Sequence, residues 1–515
     1  MELPGAPLAA SPRCSRQDRS PPDASIILDI DLAGEAMDRA VLPGMAAAVA
    51  FGTVVAGVSG SPSWAFLVAF ISLAFALLHR SVPLLWLAVF FVGLLLWHPF
   101  TFPETVRIQI PLLTEVTGLV KDIPDPHRET ASFTLHPFSL DGDLLVYLRT
   151  ETPWAVELSP GDLVRLSGEG ELLESGGWGE YLRRRGIVGL FWADGVEVRK
   201  QGRFSVLRLV GKLRAGLLTR LHTTVPEPGA DLLAALLFGT RGLLPEEEKA
   251  AFRTAGVAHL LALSGLHLGI LVATGWWLLG LLRLRPGVRY LVLLPLAWGY
   301  VLLGGARISL VRAAIMLSAF GLFWLLWERG LVLRRWYDPL QGLSVAALLV
   351  ILIWPWSPLD TGFQLSFVAT FSILYLWPGW GRSSLRARLP GPVRWMADIL
   401  ATSAFAQAGT LPIVGSTFGY ISPYGLIANL LLIPWTTLIL WTGLFVLIIS
   451  PFPWAPAVGG FLHRVVISPY LYAVEGLARL PGAALPVGEN FGLWCLCCVL
   501  GILLLRACAE EFRES

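Results

Sequence analysis

Seven long apolar runs follow one another at residues 257–282, 288–303, 308–327, 339–354, 362–377, 396–413 and 424–449. A membrane-crossing helix needs about 20 predominantly apolar residues, fewer where flanking side chains reach the interface. Composition agrees: 55% of the 515 residues are hydrophobic and only 15% charged, where a soluble domain carries about a quarter charged. The 21 Trp residues suit a chain with many lipid–water boundaries. The chain therefore reads as a polytopic α-helical membrane protein, and the soluble classes are excluded.

Charge in the loops gives an independent check. RLRPGVR (283–289), ERGLVLRR (328–335) and GRSSLRARLPGPVR (381–394) are rich in arginine. The alternating loops GGAR (304–307), PWSPLDT (355–361) and GSTFGYISPY (414–423) carry one Arg and one Asp between them. By the positive-inside bias the basic set faces the cytoplasm. Three further spans are expected at 41–58, 62–78 and 82–97, after a cytoplasmic tail at 1–40 containing Arg13, Arg16, Arg19 and Arg39. Three crossings place residues 99–203 outside.

That stretch is unlike the rest. ASFTLHPF (131–138), DLLVYLRT (143–150) and GDLVRLSGEGEL (161–172) alternate apolar and polar residues between Pro, Gly and Asp, the signature of strands. A small extracytoplasmic β-barrel of about five strands is expected at 99–203. Residues 101–203 hold 11 basic and 16 acidic side chains, a net −5. Arg183, Arg184 and Arg185 form its one basic cluster and are a candidate outer nucleic-acid patch or a solvated turn. The five cysteines (Cys14, Cys495, Cys497, Cys498 and Cys508) all lie elsewhere, so no disulfide is expected in this domain. Residues 204–256 read as amphipathic helices lying in the interface. The helical core is expected over 257–508, with an amphipathic run at 457–480, a last span at 490–507 and a short tail at 509–515.

Chemistry concentrates at a few polar residues within apolar runs. In HLLALSGLHLGI (259–270), Ser264 and His267 share a helical face, and Gly265 and Gly269 form a small-xxx-small pair for close helix packing. The serine and histidine either bond a neighbouring helix or line a water-filled path. Arg307 stands at the edge of ARISLVRAAIMLSAFG (306–321), with Arg312 one turn inside. An arginine at membrane depth costs about 2.5–3.5 kcal/mol on insertion scales and therefore has a partner or a purpose. Asp360 is one candidate partner; passing phosphates are the other. Gln364, Gln407 and Asn429 are isolated polar residues on further apolar helices. Helix breaks are expected at Pro412, at Pro434 and in GYISPYG (419–425). No Walker A sequence and no two-metal histidine cluster occurs, so no catalytic residue, metal or cofactor is expected, and the chain reads as a non-enzyme.

FRTAGVAHLLALSGLHLGI (252–270), RISLVRAAIM (307–316), DPLQGLSVAALLVILIWPWSPLDTGFQLSF (338–367) and AQAGTLPIVGSTFGYISPYGLIANLLLIP (406–434) closely resemble, in order, the blocks of the ComEC family of competence DNA-uptake channels. SGGWGEYLRRRGIVG (175–189) is similar to that family's junction after its outer OB-like domain. The resemblance runs from about residue 40 to 505. It implies an inner-membrane channel passing single-stranded DNA in natural transformation, fed by a DNA receptor outside and helped by an ATPase inside. Ser264, His267, Arg307, Arg312, Gln364, Gln407 and Asn429 would then line the path. Many relatives continue into a metallo-β-lactamase-like domain; here the sequence ends at RACAEEFRES, and any nuclease is expected to be a separate protein. The rival reading is a small-solute or lipid transporter on the same core, with membrane lipids as its surroundings in either case.

Overall fold

The computed structural model describes residues 110–156, 158–174, 176–200, 205–330, 338–488 and 491. The spans expected at 41–98, both tails, all five cysteines and the span expected at 490–507, residue 491 apart, lie outside the described residues.

The domain expected to lie outside, called the outer domain, comprises β1 (Glu115–Val120), β2 (Asp125–Pro126), β3 (Thr130–Pro137), β4 (Asp143–Arg149), β5 (Leu163–Leu172), helix α1 (Gly177–Arg184) and β6 (Ile187–Lys200). Alternation in the sequence becomes alternation in burial. Every second residue of β3 and β4 is buried, and Phe133, Leu135, Leu144, Val146, Val164, Leu166 and Phe191 fill the interior. The sheet runs β1-β5-β6-β4-β3-β2, and β1 also pairs with β3. All pairs are antiparallel except β4 with β6.

The helical part follows as α2 (Val206–Thr224), α3 (Gly229–Phe238), α4 (Glu246–Thr254), α5 (Ala258–Leu261), α6 (Gly265–Leu281), α7 (Pro286–Leu303), α8 (Ile308–Glu328), α9 (Pro339–Ile353), α10 (Thr361–Gly381), α11 (Ser384–Arg388), α12 (Gly391–Phe418), β7 (Tyr420–Ile421), α13 (Gly425–Ile449), α14 (Ala455–Leu462), α15 (Ser468–Ala478) and β8 (Leu485–Pro486). A π-helical turn at His463–Ile467 joins α14 to α15, and β7 pairs with β8. Five helical segments among the described residues are long and apolar enough to cross a membrane: α7, α8, α12, α13 and the continuous Ala455–Ala478. α6 and α9 are apolar but shorter.

Three expectations need correction. The run at 257–282 is not one helix. It breaks between Leu261 and Gly265, and Ser264 is the N-cap of α6. Pro412 and Pro434 interrupt neither α12 nor α13, whereas GYISPYG is a true break with Gly419 at φ 73°. A proline removes one helical N–H, which leaves the carbonyls of Ala408 and Leu430 without their usual donor, and a helix packed among neighbours continues through such a site. The amphipathic reading also fails for α3, whose ten residues are all buried. The helix sits in the apolar core formed by α2, α3, α13 and α15. α2 keeps an exposed face with Val206, Leu209 and Leu213.

Candidate transport path and its outer mouth

Five helices form a ring: α6 touches α8, α8 touches α10, α10 touches α12, α12 touches α13, and α13 returns to α6. α7 packs against α6 and α8, and α9 against α8 and α10. A small or polar contact marks every junction of the ring. At α6–α8, a Cβ added to Gly265 would come 2.9 Å from an Arg312 guanidinium nitrogen. At α8–α10, Arg312 Nη1 donates to Thr370 Oγ1 and the guanidinium lies 5.8 Å from the Phe367 ring centroid. At α10–α12, a Cβ on Gly409 would sit 2.0 Å from Ser372 Oγ. At α12–α13, one on Gly425 would sit 3.1 Å from Gln407 Nε2. At α13–α6, Trp441 Nε1 donates to Thr274 Oγ1 at 2.9 Å.

Arg312 is the one charged side chain embedded in this ring among the described residues, with 8% exposure. Asp360 is not its partner. That carboxylate instead caps α10, accepting from the Phe363 amide at 2.8 Å. Arg312 thus faces a hydroxyl and an aromatic ring, and its Nε is buried without a hydrogen-bond partner among the described residues. Such a cation retains donors for an anion.

The histidine motif folds beside this arginine. Ser264 Oγ lies 3.0 Å from His267 Nδ1, which also accepts from the Ser264 amide at 3.3 Å. The pair is thus a capping box at the start of α6. His267 is completely buried, with Nε2 unpartnered. Nothing lies within 4 Å of a Cβ built on Gly269. That residue lines an apolar cavity of about 340 Å³ between α6, α8 and the start of α9. Asn429, one turn along α13 from Gly425, is buried with Oδ1 unpartnered. Gln364 turns away from the ring and donates to Pro358 O at 2.8 Å.

Arg307 takes another role. It is the N-cap residue of α8 and reaches Asp125 Oδ2 at 3.4 Å and Gly239 O at 3.2 Å. Asp125 belongs to the outer domain and also pairs with the buried Arg214 of α2 at 2.7 Å. Arg214 extends this network to Pro124 O and Phe238 O. Burial raises the Asp125 carboxyl, and Arg214 and Arg307 more than offset it, so the group sits below the usual carboxylate range. Arg208 of α2 pairs with Asp162, a second tie to the outer domain.

Arg183, Arg184 and Arg185 end α1. Arg183 donates to the Leu173 and Glu174 carbonyls, and Arg184 pairs with Glu180 at 3.6 Å. Arg185 bonds Tyr181 and lies 5.7 Å from the Trp356 ring of the helical part. Contacts from the outer domain thus reach the loops at 307 and 356, two of those assigned by their charge to the same side.

Sequence reasoning missed Asp125, Arg214, Thr370 and the Trp441–Thr274 bond. It also missed a Tyr147–Trp192 stack on the outer domain, at 4.7 Å between centroids. The threonines gave a weak signal, being polar residues in apolar helices; the others are tertiary pairings across long separations.

The family model described as "Competence protein" matches residues 236–512. The chain belongs to this family. The matched segment holds the whole ring and begins after the outer domain. Among curated relatives, ComE operon protein 3 of Bacillus subtilis is 29% identical over 228 residues, 44% of this chain and 27% of that protein. Recombination protein 2 of Haemophilus influenzae is 28% identical over 214 residues, 39% of this chain and 26% of that protein. Competence protein ComA of Neisseria gonorrhoeae is 27% identical over 295 residues, 54% and 38% respectively. The matches thus span about a quarter to two-fifths of those relatives' length. No solved structure matches the chain.

Proposed function

We propose that this chain is a channel that passes single-stranded DNA across the bacterial cytoplasmic membrane during natural transformation. The observation that carries the reading is Arg312: a buried cation without a carboxylate partner among the described residues, at a junction of a polar-seamed helix ring, in a chain of the competence family. A transient phosphate is the partner its chemistry fits. A DNA receptor outside would deliver the strand and an ATPase inside would help draw it in, and the chain itself would perform no catalysis.

The outer domain is read as OB-like. Two features support this: β1 pairs with both β3 and β5, and β4 runs parallel to β6. The Tyr147–Trp192 stack offers a face for bases, each such contact being worth about 1–3 kcal/mol. Residues 204–256 would place α2 and α4 in the outer interface.

A second reading, a lipid or apolar-solute transporter, is favoured by one feature. The cavity beside Gly269 is lined by Leu268, Val272, Met316, Leu317 and Phe323 and is of ligand size. Complementation separates the two. Cells with Arg312→Ala at matched protein level should retain surface-bound DNA and lose transformants at least tenfold. Blocking the cavity with Gly269→Leu should leave DNA entry unchanged. The reverse pattern would favour the transporter.

A further inference from the structure

The corner between α2 and α3 carries a side-chain cluster that the transport path does not use. His222 lies in the last turn of α2, Glu227 in the connecting turn and Asp231 in the first turn of α3. The imidazole stacks on Trp154 of the outer domain, with centroids 4.1 Å apart and planes 9° from parallel. Its side chain is only 5% exposed. Nδ1 stands 3.9 Å from Glu227 Oε1, and Nε2 stands 3.8 Å from Asp231 Oδ1. These are not hydrogen-bond distances, and both ring nitrogens are buried without any hydrogen-bond partner. A buried imidazole with unmet nitrogens beside two carboxylates is a costly arrangement, and an ion bound at one nitrogen would relieve that nitrogen.

We propose that His222, Glu227 and Asp231 bind a divalent transition-metal ion of the zinc class. One ligand atom from each residue falls within 4.8 Å of the others. Bonds near 2.1 Å in a tetrahedral site set ligand atoms about 3.4 Å apart, so a small side-chain rotation closes the observed spacing. Imidazole nitrogen and carboxylate oxygen are both zinc ligands, and three protein ligands leave a fourth position for water. The imidazole argues against calcium and magnesium, and the lack of sulfur argues against copper(I).

Local charge supports the site. Glu227 and Glu248 stand close enough to Asp231 to repel it, with Arg128 opposing, so acidic side chains outnumber basic ones here. A dication would offset that excess. Glu227 is mostly exposed and opens the site to solvent. Bound metal would pin the α2–α3 corner beneath Trp154, stiffening the seat of the outer domain.

The test uses the full chain in detergent, stripped with chelator and titrated with Co²⁺ and then Zn²⁺. The expected result is one Co²⁺ per chain with visible absorption of nitrogen–oxygen coordination, no thiolate charge-transfer band, and displacement by Zn²⁺. Asp231→Asn and His222→Ala should each weaken binding at least tenfold. Glu227→Gln, on an exposed side chain, should weaken it without affecting folding. A folded wild-type chain that takes up no stoichiometric Co²⁺ would overturn the proposal. So would binding that survives all three substitutions or that shows a thiolate band.

Discussion

Arg214 Nη2 stands 2.7 Å from Asp125 Oδ1, a pairing 89 positions apart in sequence, with the arginine side chain only 4% exposed. Arg307 approaches the same carboxylate from the helical core. One aspartate thus ties the outer domain both to α2 and to the mouth of the helix ring.

Removing one member of a buried pair leaves an uncompensated charge, at a cost of about 3–5 kcal/mol. Asp125→Ala should therefore lower the thermal midpoint of the detergent-solubilised protein and expose the outer domain to limited proteolysis. Unchanged protease sensitivity would show that the tie is redundant.

The same carboxylate predicts a pH dependence. Its folded-state pKa is depressed, so its contribution is complete above the ordinary carboxylate range, near pH 4, and is lost as pH falls through the folded value. Seating of the outer domain should be constant from neutral pH to about pH 4 and loosen below that. Asp125→Asn should abolish the transition, as read by proteolysis across pH.

Two glycines make a paired stability test. A Cβ on Gly321 would fall 1.7 Å from the Tyr290 ring, whose hydroxyl donates to Leu317 O at 2.7 Å. Gly321→Ala should destabilise by about 1–3 kcal/mol. Gly299, on α7, has nothing within 4 Å of its Cβ position, so Gly299→Ala should be neutral or gain up to about 1 kcal/mol. Denaturation of both variants measures the difference.

Crowding Arg312 should act like removing it. Gly265→Val would press on the guanidinium at 2.9 Å and displace it. Transformation frequency at matched expression should fall at least tenfold, while Arg312→Lys, which keeps the charge but not the planar fork, should fall less. Equal loss from Arg312→Lys and Arg312→Ala would mean that the fork geometry matters more than charge.

Helices were legible in the sequence because apolar runs and basic loops both report on the bilayer, and β3 to β5 because alternation survives as burial. Breaks inside apolar runs were not legible. Leu261 to Gly265 carries no charge and no proline, so the restart of α6 at Ser264 is hidden, while Pro412 and Pro434 mark breaks that never form. The candidate path was legible as polarity at depth and illegible as pairing. Arg312 packs against Thr370 and the Phe367 ring, and Arg307 meets Asp125, 182 positions away. Only the tertiary fold brings those two together.

If DNA passes through this ring, its entry depends on this gene and on Arg312. The most direct measurement follows labelled DNA in the host bacterium carrying a deletion of this gene, the deletion complemented with wild type, and the deletion complemented with Arg312→Ala. The account predicts that DNA still binds outside in all three and enters only with the wild-type gene. Normal entry in the deletion strain would contradict it.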